Sequence, residues 1–137
     1  SSDLPGIRAG FAVAGHDLGS RLQVARRAWA LGTPAAAVGA HCMGCDDFVL
    51  ETRERVRTER ERMRETLAER FEVYPSDSPF LLLDVGERDV ASVVEFARER
   101  GVAVRDATTF RGLDSHIRVA VRLPEENDRL LGVLADV

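Results

Sequence analysis

The hydrophobic period of this chain changes at Phe71. From Asp17 to that point apolar residues recur at helical spacing. Beyond it short apolar runs and strict alternation appear between helical stretches, a pattern that a helix cannot satisfy and a half-buried strand can. Glu72–Tyr74 and Phe80–Val85 read as strands around the turn Pro75-Ser76-Asp77-Ser78-Pro79. Asp89–Arg100 is amphipathic through Val90, Val93, Val94 and Ala97, with Gly101 as its C-cap. Val102–Arg105 reads as a strand and Ala107–Ser115 as a loop. In His116–Arg122, Ile117, Val119 and Val121 share one face, and His116, Arg118, Ala120 and Arg122 the other. Pro124 opens a final helix with a Leu130, Leu131, Leu134 stripe. The order β-β-α-β-β-α predicts a small α+β layer, a mainly antiparallel sheet covered by helices on one face.

The first part has another character. Ala9–Ala14 is short, apolar and flanked by glycines, so it reads as a buried strand, the last strand of a different sheet. Asp17–Leu31 has helical spacing at Leu18, Leu22, Ala25 and Trp29. Thr33 is placed to cap a small-residue helix, Pro34–Met43. Asp47–Phe71 is long and charged, with Phe48, Val49, Val56, Met63, Leu67 and Phe71 as a narrow apolar stripe. Glu51–Arg55, Glu54–Arg57, Glu59–Arg62 and Glu61–Arg64 are spaced as helix ion pairs, which makes this a solvated face. The division expected is residues 1–46 as the tail of a larger domain with linking helices, and 47–137 as a small complete domain.

Charge and composition exclude several classes. The 19 basic residues are all arginine; there is no lysine. Against 23 Asp and Glu they leave a net charge of −4, a poor balance for general nucleic-acid binding. No apolar run approaches the ~20 residues of a membrane helix. No signal peptide is visible. Two cysteines cannot build a disulfide framework. Without lysine this chain cannot form an internal Schiff base, which needs a primary amine.

Few constellations suggest chemistry. His41-Cys42-Met43-Gly44-Cys45 holds a C-x-x-C, but zinc needs further ligands and only His16 and His116 remain elsewhere, so no metal site is expected. Haem attachment needs the His after the second Cys. A redox pair and two reduced thiols in a helical packing surface are left, the second being expected. Asp46-Asp47 and Glu125-Glu126 sit at helix starts, where negative charge suits the dipole. His16 and His116 have no nucleophile near them in sequence and are expected at the surface or at a strand end. Arg8, Arg105, Arg118 and Arg122 lie on or beside strands, where a guanidinium fork suits planar recognition of carboxylate or phosphate. On pattern alone, surface salt bridges are the simpler account of them.

Two segments go further. Leu4-Pro5-Gly6-Ile7-Arg8-Ala9-Gly10-Phe11 resembles the L-[AP]-G-[LIV]-R-x-G-[FY] segment that follows the cofactor lysine in fold-type I pyridoxal-phosphate enzymes. Val104-Arg105-Asp106, then Phe110 through Arg122, then Pro124 through Leu131, resemble the C-terminal domain of the branch holding histidinol-phosphate aminotransferase and threonine-phosphate decarboxylase. Tyr74-Pro75-Ser76 and Phe80-Leu81-Leu82-Leu83 are similar to the same domain. The likeness covers essentially the whole chain.

That resemblance implies an α/β fold, the small domain of a pyridoxal 5'-phosphate (PLP) enzyme. It implies a cytoplasmic homodimer acting on a small phosphorylated amino acid or amine, with neither nucleic acid nor membrane as partner. The family pattern leaves three residues between the Schiff-base lysine and L-[AP]-G, which puts that lysine immediately before Ser1. The chain would then be the C-terminal portion of a longer enzyme, with no catalytic lysine of its own. Arg8 matches the arginine on the cofactor phosphate. Arg118 matches the arginine on the substrate α-carboxylate, and Arg105 a second active-site arginine of the decarboxylases.

Within the branch, the decarboxylases resemble this chain in Gly112-Leu113-Asp114-Ser115 and in Arg122, where aminotransferases usually carry Gly. The sequence therefore points first to a threonine-phosphate decarboxylase of cobalamin biosynthesis, and second to histidinol-phosphate aminotransferase. A stand-alone α+β interaction module is the non-enzymatic alternative. Pro79 stands where many relatives have Asn, which puts contacts made through that Asn in doubt.

Overall fold

The computed structural model describes residues 5–10, 12–27 and 30–137, and it divides into two units, Ser1–Val49 and Leu50–Val137. The first unit begins with a short 3-10 turn, Pro5–Ile7, then helices α1 (His16–Ala25) and α2 (Thr33–Cys42). Helix α3 (Asp46–Leu67) follows, and carries most of its length in the second unit. Neither α1 nor α2 buries a residue. Leu18, Leu22, Val38, Phe48 and Val49, expected or available as packing positions, are all exposed.

Ala9–Ala14, expected as a buried strand, carries only one bridge position, at Ala9; Phe11 lies outside the described residues. A strand needs a neighbour to take its backbone hydrogen bonds. Among the described residues of this unit none is offered. Trp29, expected on the second helix face, also lies outside the described residues. Thr33 is not the N-cap of α2: Gly32 holds that place, and Pro34 follows in the first turn.

The second unit follows the period read from Phe71 onward. Its strands are β1 (Glu72–Val73), β2 (Phe80–Asp84), β3 (Arg105–Asp106) and β4 (His116–Ala120). All pairings are antiparallel, in the order β1-β2-β4-β3. The strand expected at Val102–Arg105 starts three residues later and ends one residue later, because Val102 is drawn into the end of the preceding helix. That helix, α4 (Val90–Glu99), starts where the Asp89 carboxylate accepts the Ser92 N–H at 2.8 Å. It ends at Gly101 with φ +72°, a backbone conformation that suits glycine. There Gly101 N–H donates to Arg98 and Val102 N–H to Ala97, both at 2.9 Å, a Schellman closure that buries Val102 beside Ala97. Helix α5 (Pro124–Ala135) starts at the expected proline.

One face of the sheet meets the helices. Leu81 and Leu83 of β2 and Ile117 and Val119 of β4 bury there against Met63 and Leu67 of α3, Val93 and Ala97 of α4, and Leu130 and Leu134 of α5. At ~1.5–3 kcal/mol for each buried aliphatic side chain, this layer dominates the stability of the unit. Period 2 then sends every alternate residue of β2 and β4 to the opposite face.

Candidate functional site

The opposite face carries Phe80, Leu82 and Asp84 from β2 and His116, Arg118 and Ala120 from β4. The register sets Arg118 of β4 directly across from Leu82 on one side and from Arg105 of β3 on the other. Arg105 and Arg118 thus share this face as a directly opposed pair, with Cβ atoms about 5 Å apart. Like charges in that relation oppose each other, so the pairing favours an anion laid across both. Among the described residues neither is ion-paired to a carboxylate.

Aromatic rings steady both arginines. The Arg118 guanidinium stands 4.3 Å from the Phe80 ring centre, and the Arg105 guanidinium 6.0 Å from that of Phe110. Arg118 is half-buried and Arg105 exposed. A guanidinium stacked on a ring keeps its N–H edge for a planar acceptor. Sequence reasoning placed the arginines but not the rings beneath them. The signal available was alternation: Phe80 shares the even-numbered face with Arg118.

Arg122, used above to choose a branch, belongs elsewhere. It lies past the end of β4, exposed, and its Nε donates to Glu126 Oε1 at 2.8 Å. Its own N–H donates to Asn127 Oδ1 at 2.8 Å. Those contacts hold the start of α5 and explain Arg122 without a ligand.

Two further groups were missed. His116, expected at the surface or a strand end, does open β4 but is buried, with its Nε2 3.3 Å from the Tyr74 hydroxyl and 3.9 Å from Asp84 Oδ2. Asp84 is held below its ordinary pKa by the Ser115 hydroxyl, then by the Gly86 N–H at 2.8 Å and by His116. Burial and the charges of Glu72 and Asp84 push the Tyr74 hydroxyl up. The chain's single asparagine, Asn127, is 1 % exposed and donates to Glu59 Oε2 at 2.7 Å. Glu59 also receives Arg62 Nη2 at 2.7 Å, so this buried carboxylate is fully engaged. One polar residue among nineteen arginines gave no sequence signal for that role.

Of the expected ion pairs on α3, Glu54–Arg57 and Glu59–Arg62 form, at 2.6 and 2.7 Å. Arg57 also reaches Glu61 at 3.3 Å.

In the first unit, Arg8 is the one described non-glycine residue with positive φ, at 55°. Such backbone costs about 1–2 kcal/mol and is retained where the surroundings impose it. Arg8 is exposed and lines a shallow depression of about 370 Å3 with Ile7, Gly32, Pro34, Ala35 and Val38.

The family follows from comparison with known proteins. The family model described as aminotransferase class I and II matches residues 2–134. The chain belongs to the class I and II aminotransferase family, whose enzymes depend on PLP. It is 34% identical over 137 residues to histidinol-phosphate aminotransferase 2 of Archaeoglobus fulgidus, a match covering 98% of this chain and 39% of that protein. Among solved structures, the histidinol-phosphate aminotransferase from Clostridium acetobutylicum matches with TM-score 0.89 over 96% of this chain and 41% of its own. At 20% identity that likeness shows the fold alone. L-threonine-O-3-phosphate decarboxylase from Porphyromonas gingivalis matches at 27% identity with TM-score 0.81, over 97% of this chain and 42% of its own. The chain thus spans about two fifths of the length of the relatives it matches.

The residues present suit PLP in part. Arg8 carries a permanently charged fork of the kind a phosphate takes, on a backbone at φ 55°. The chain has no lysine to bind its aldehyde.

Proposed function

We propose that this chain is the small-domain portion of a PLP-dependent aminotransferase acting on histidinol phosphate, with 2-oxoglutarate as amino acceptor. The observation that carries this reading is that the chain's curated relatives at about one-third identity are histidinol-phosphate aminotransferases, and the opposed pair Arg105–Arg118 on the open face of the sheet supplies anion donors that suit either branch. This reverses the order of preference drawn from sequence. Arg122, which favoured the decarboxylase, is engaged in a local contact with Glu126.

Residues 1–46 serve as the tail of the cofactor domain and 47–137 as the small domain. The bare surface of α1 and α2 supports this division, since helices with exposed Leu18, Leu22 and Val38 ordinarily belong to a larger packed body. Arg8 holds the cofactor phosphate. Arg118 takes the α-carboxylate by a bidentate contact, and Arg105 adds a second donor beside it. In amino transfer that carboxylate belongs to 2-oxoglutarate and its glutamate product, because histidinol phosphate carries none. When bound, PLP supplies an electron sink for the bond broken at the substrate's α-carbon. The arginines' part is orientation: a carboxylate fixed at two nitrogens sets which α-carbon bond is presented for cleavage. The enzyme works as a cytoplasmic homodimer.

Threonine-phosphate decarboxylase is the second reading. Gly112-Leu113-Asp114-Ser115 and the likeness to the Porphyromonas gingivalis enzyme favour it. The full-length protein decides between them. Incubated with histidinol phosphate and 2-oxoglutarate it should form glutamate, and with threonine phosphate it should release no CO2. CO2 release without amino transfer would establish the second reading. A full-length protein that takes up no PLP would refute both.

A further inference from the structure

Cys42 closes α2 and Cys45 immediately precedes α3. Three hydrogen bonds fold the two residues between them into a tight turn: Met43 N–H to Gly39 at 3.1 Å, Gly44 N–H to His41 at 3.0 Å, and Cys45 N–H to Cys42 at 3.3 Å. A turn closed from residue i+3 to residue i holds its end Cα atoms within about 7 Å. A disulfide spans Cα atoms about 4.4–6.8 Å apart, so this backbone already lies within range. Cys45 Sγ donates to the His41 carbonyl oxygen at 3.4 Å, which sets the sulfur against the peptide leading into Cys42. Both residues are free thiols, Cys42 exposed and Cys45 half-buried. Among the described residues no three His, Cys, Asp or Glu side chains are grouped to hold a metal.

We propose that Cys42 and Cys45 form a dithiol–disulfide site that reacts with low-molecular-weight disulfides such as oxidised glutathione. The exposed Cys42 thiolate attacks one sulfur of the reagent, forming a mixed disulfide and expelling one thiolate. Cys45, as thiolate, then attacks Cys42 Sγ; the Cys42–Cys45 bond forms and the second thiolate leaves. The protein loses two protons and two electrons, and the reagent is reduced to two thiols. The flexible Gly44 inside the four-residue loop lets the backbone settle as the sulfurs join. This site uses none of the cofactor or substrate contacts of the aminotransferase reading, and it requires that Cys42, at the end of α2, stay exposed where the rest of α2 packs.

The test uses the full-length protein equilibrated with graded ratios of oxidised to reduced glutathione, then alkylated and digested with trypsin. Both cysteines fall in one peptide, residues 28–53, because arginines precede and end it. The expected result is a peptide lighter by two hydrogens, refractory to alkylation, and restored by dithiothreitol. Cys45→Ser should stop the reaction at a stable glutathione adduct on Cys42. A wild-type peptide that keeps both thiols alkylatable at every ratio would overturn the proposal. So would a wild-type glutathione adduct that never converts to the internal disulfide.

Discussion

Arg118 of β4 stands directly across the antiparallel ladder from Arg105 of β3, on the sheet face turned away from the helices. Two like charges in that relation lower stability, and a site that binds an anion gains from them. Replacing Arg105 separates the two roles. In Arg105→Ala, stability should stay level or rise by up to about 1 kcal/mol. Affinity of the full-length enzyme for 2-oxoglutarate should fall. Urea unfolding and steady-state kinetics check the two sides. A variant that is destabilised with unchanged KM would mark Arg105 as structural.

Arg8 holds an unfavourable backbone conformation at φ +55° beside a shallow depression. Arg8→Gly should relieve the backbone while removing the phosphate donor. The full-length variant is therefore expected to release PLP about tenfold or more readily, a loss of ~1.5–3 kcal/mol for a charge-assisted contact. Its melting temperature without cofactor should not fall. Cofactor titration followed by visible absorbance measures this.

The Asn127–Glu59 bond, 2.7 Å and buried, ties α5 to α3. Asn127→Ala leaves a buried carboxylate with one donor fewer and should cost about 2–3 kcal/mol in urea unfolding. Hydrogen bonds from Arg62 and then Asn127 hold the Glu59 pKa below its ordinary value. A depressed carboxylate pKa adds stability above the unfolded-state value, which is lost as pH falls through the folded one. The wild type should therefore lose stability below about pH 4. Asn127→Ala should show a shallower acid dependence. An identical pH profile in both would detach Glu59 from acid stability.

How far the sequence carried depended on what each residue touched. The sheet was legible because Leu81, Leu83, Ile117 and Val119 alternate, and one buried face fixes strand register. The α4 boundaries were legible through Asp89 and Gly101, whose roles are local. Ala9–Ala14 reads as the last strand of a different sheet, and no other strand of such a sheet lies among the described residues. The short β3 was misplaced because Val102 packs with the helix end. At the candidate site, the arginines were legible by motif. Phe80 and Phe110 were not assigned, since stacking on a guanidinium depends on positions brought together only by the fold. Asn127 and Glu59 are 68 residues apart, and nothing local links them.

Arg122 tests the choice of branch. Its side chain pairs with Glu126 at the surface, a solvent-screened contact that adds little to stability. Arg122→Gly should cost little beyond that pair and the entropy of glycine. It should leave the ratio of amino transfer to CO2 release in the full-length enzyme unchanged. A change in that ratio would return Arg122 to the substrate.

The most direct measurement is the KM for 2-oxoglutarate in full-length Arg118→Ala, with Arg118→Lys beside it. Arg118 should supply a bidentate contact, so alanine is expected to lower kcat/KM by about 10- to 100-fold, mainly through KM. Lysine should restore only part of it, because a point charge cannot reproduce the planar fork. Circular dichroism should match the wild type, since Arg118 lies outside the buried core. An unchanged KM for 2-oxoglutarate in a folded Arg118→Ala enzyme would contradict the account.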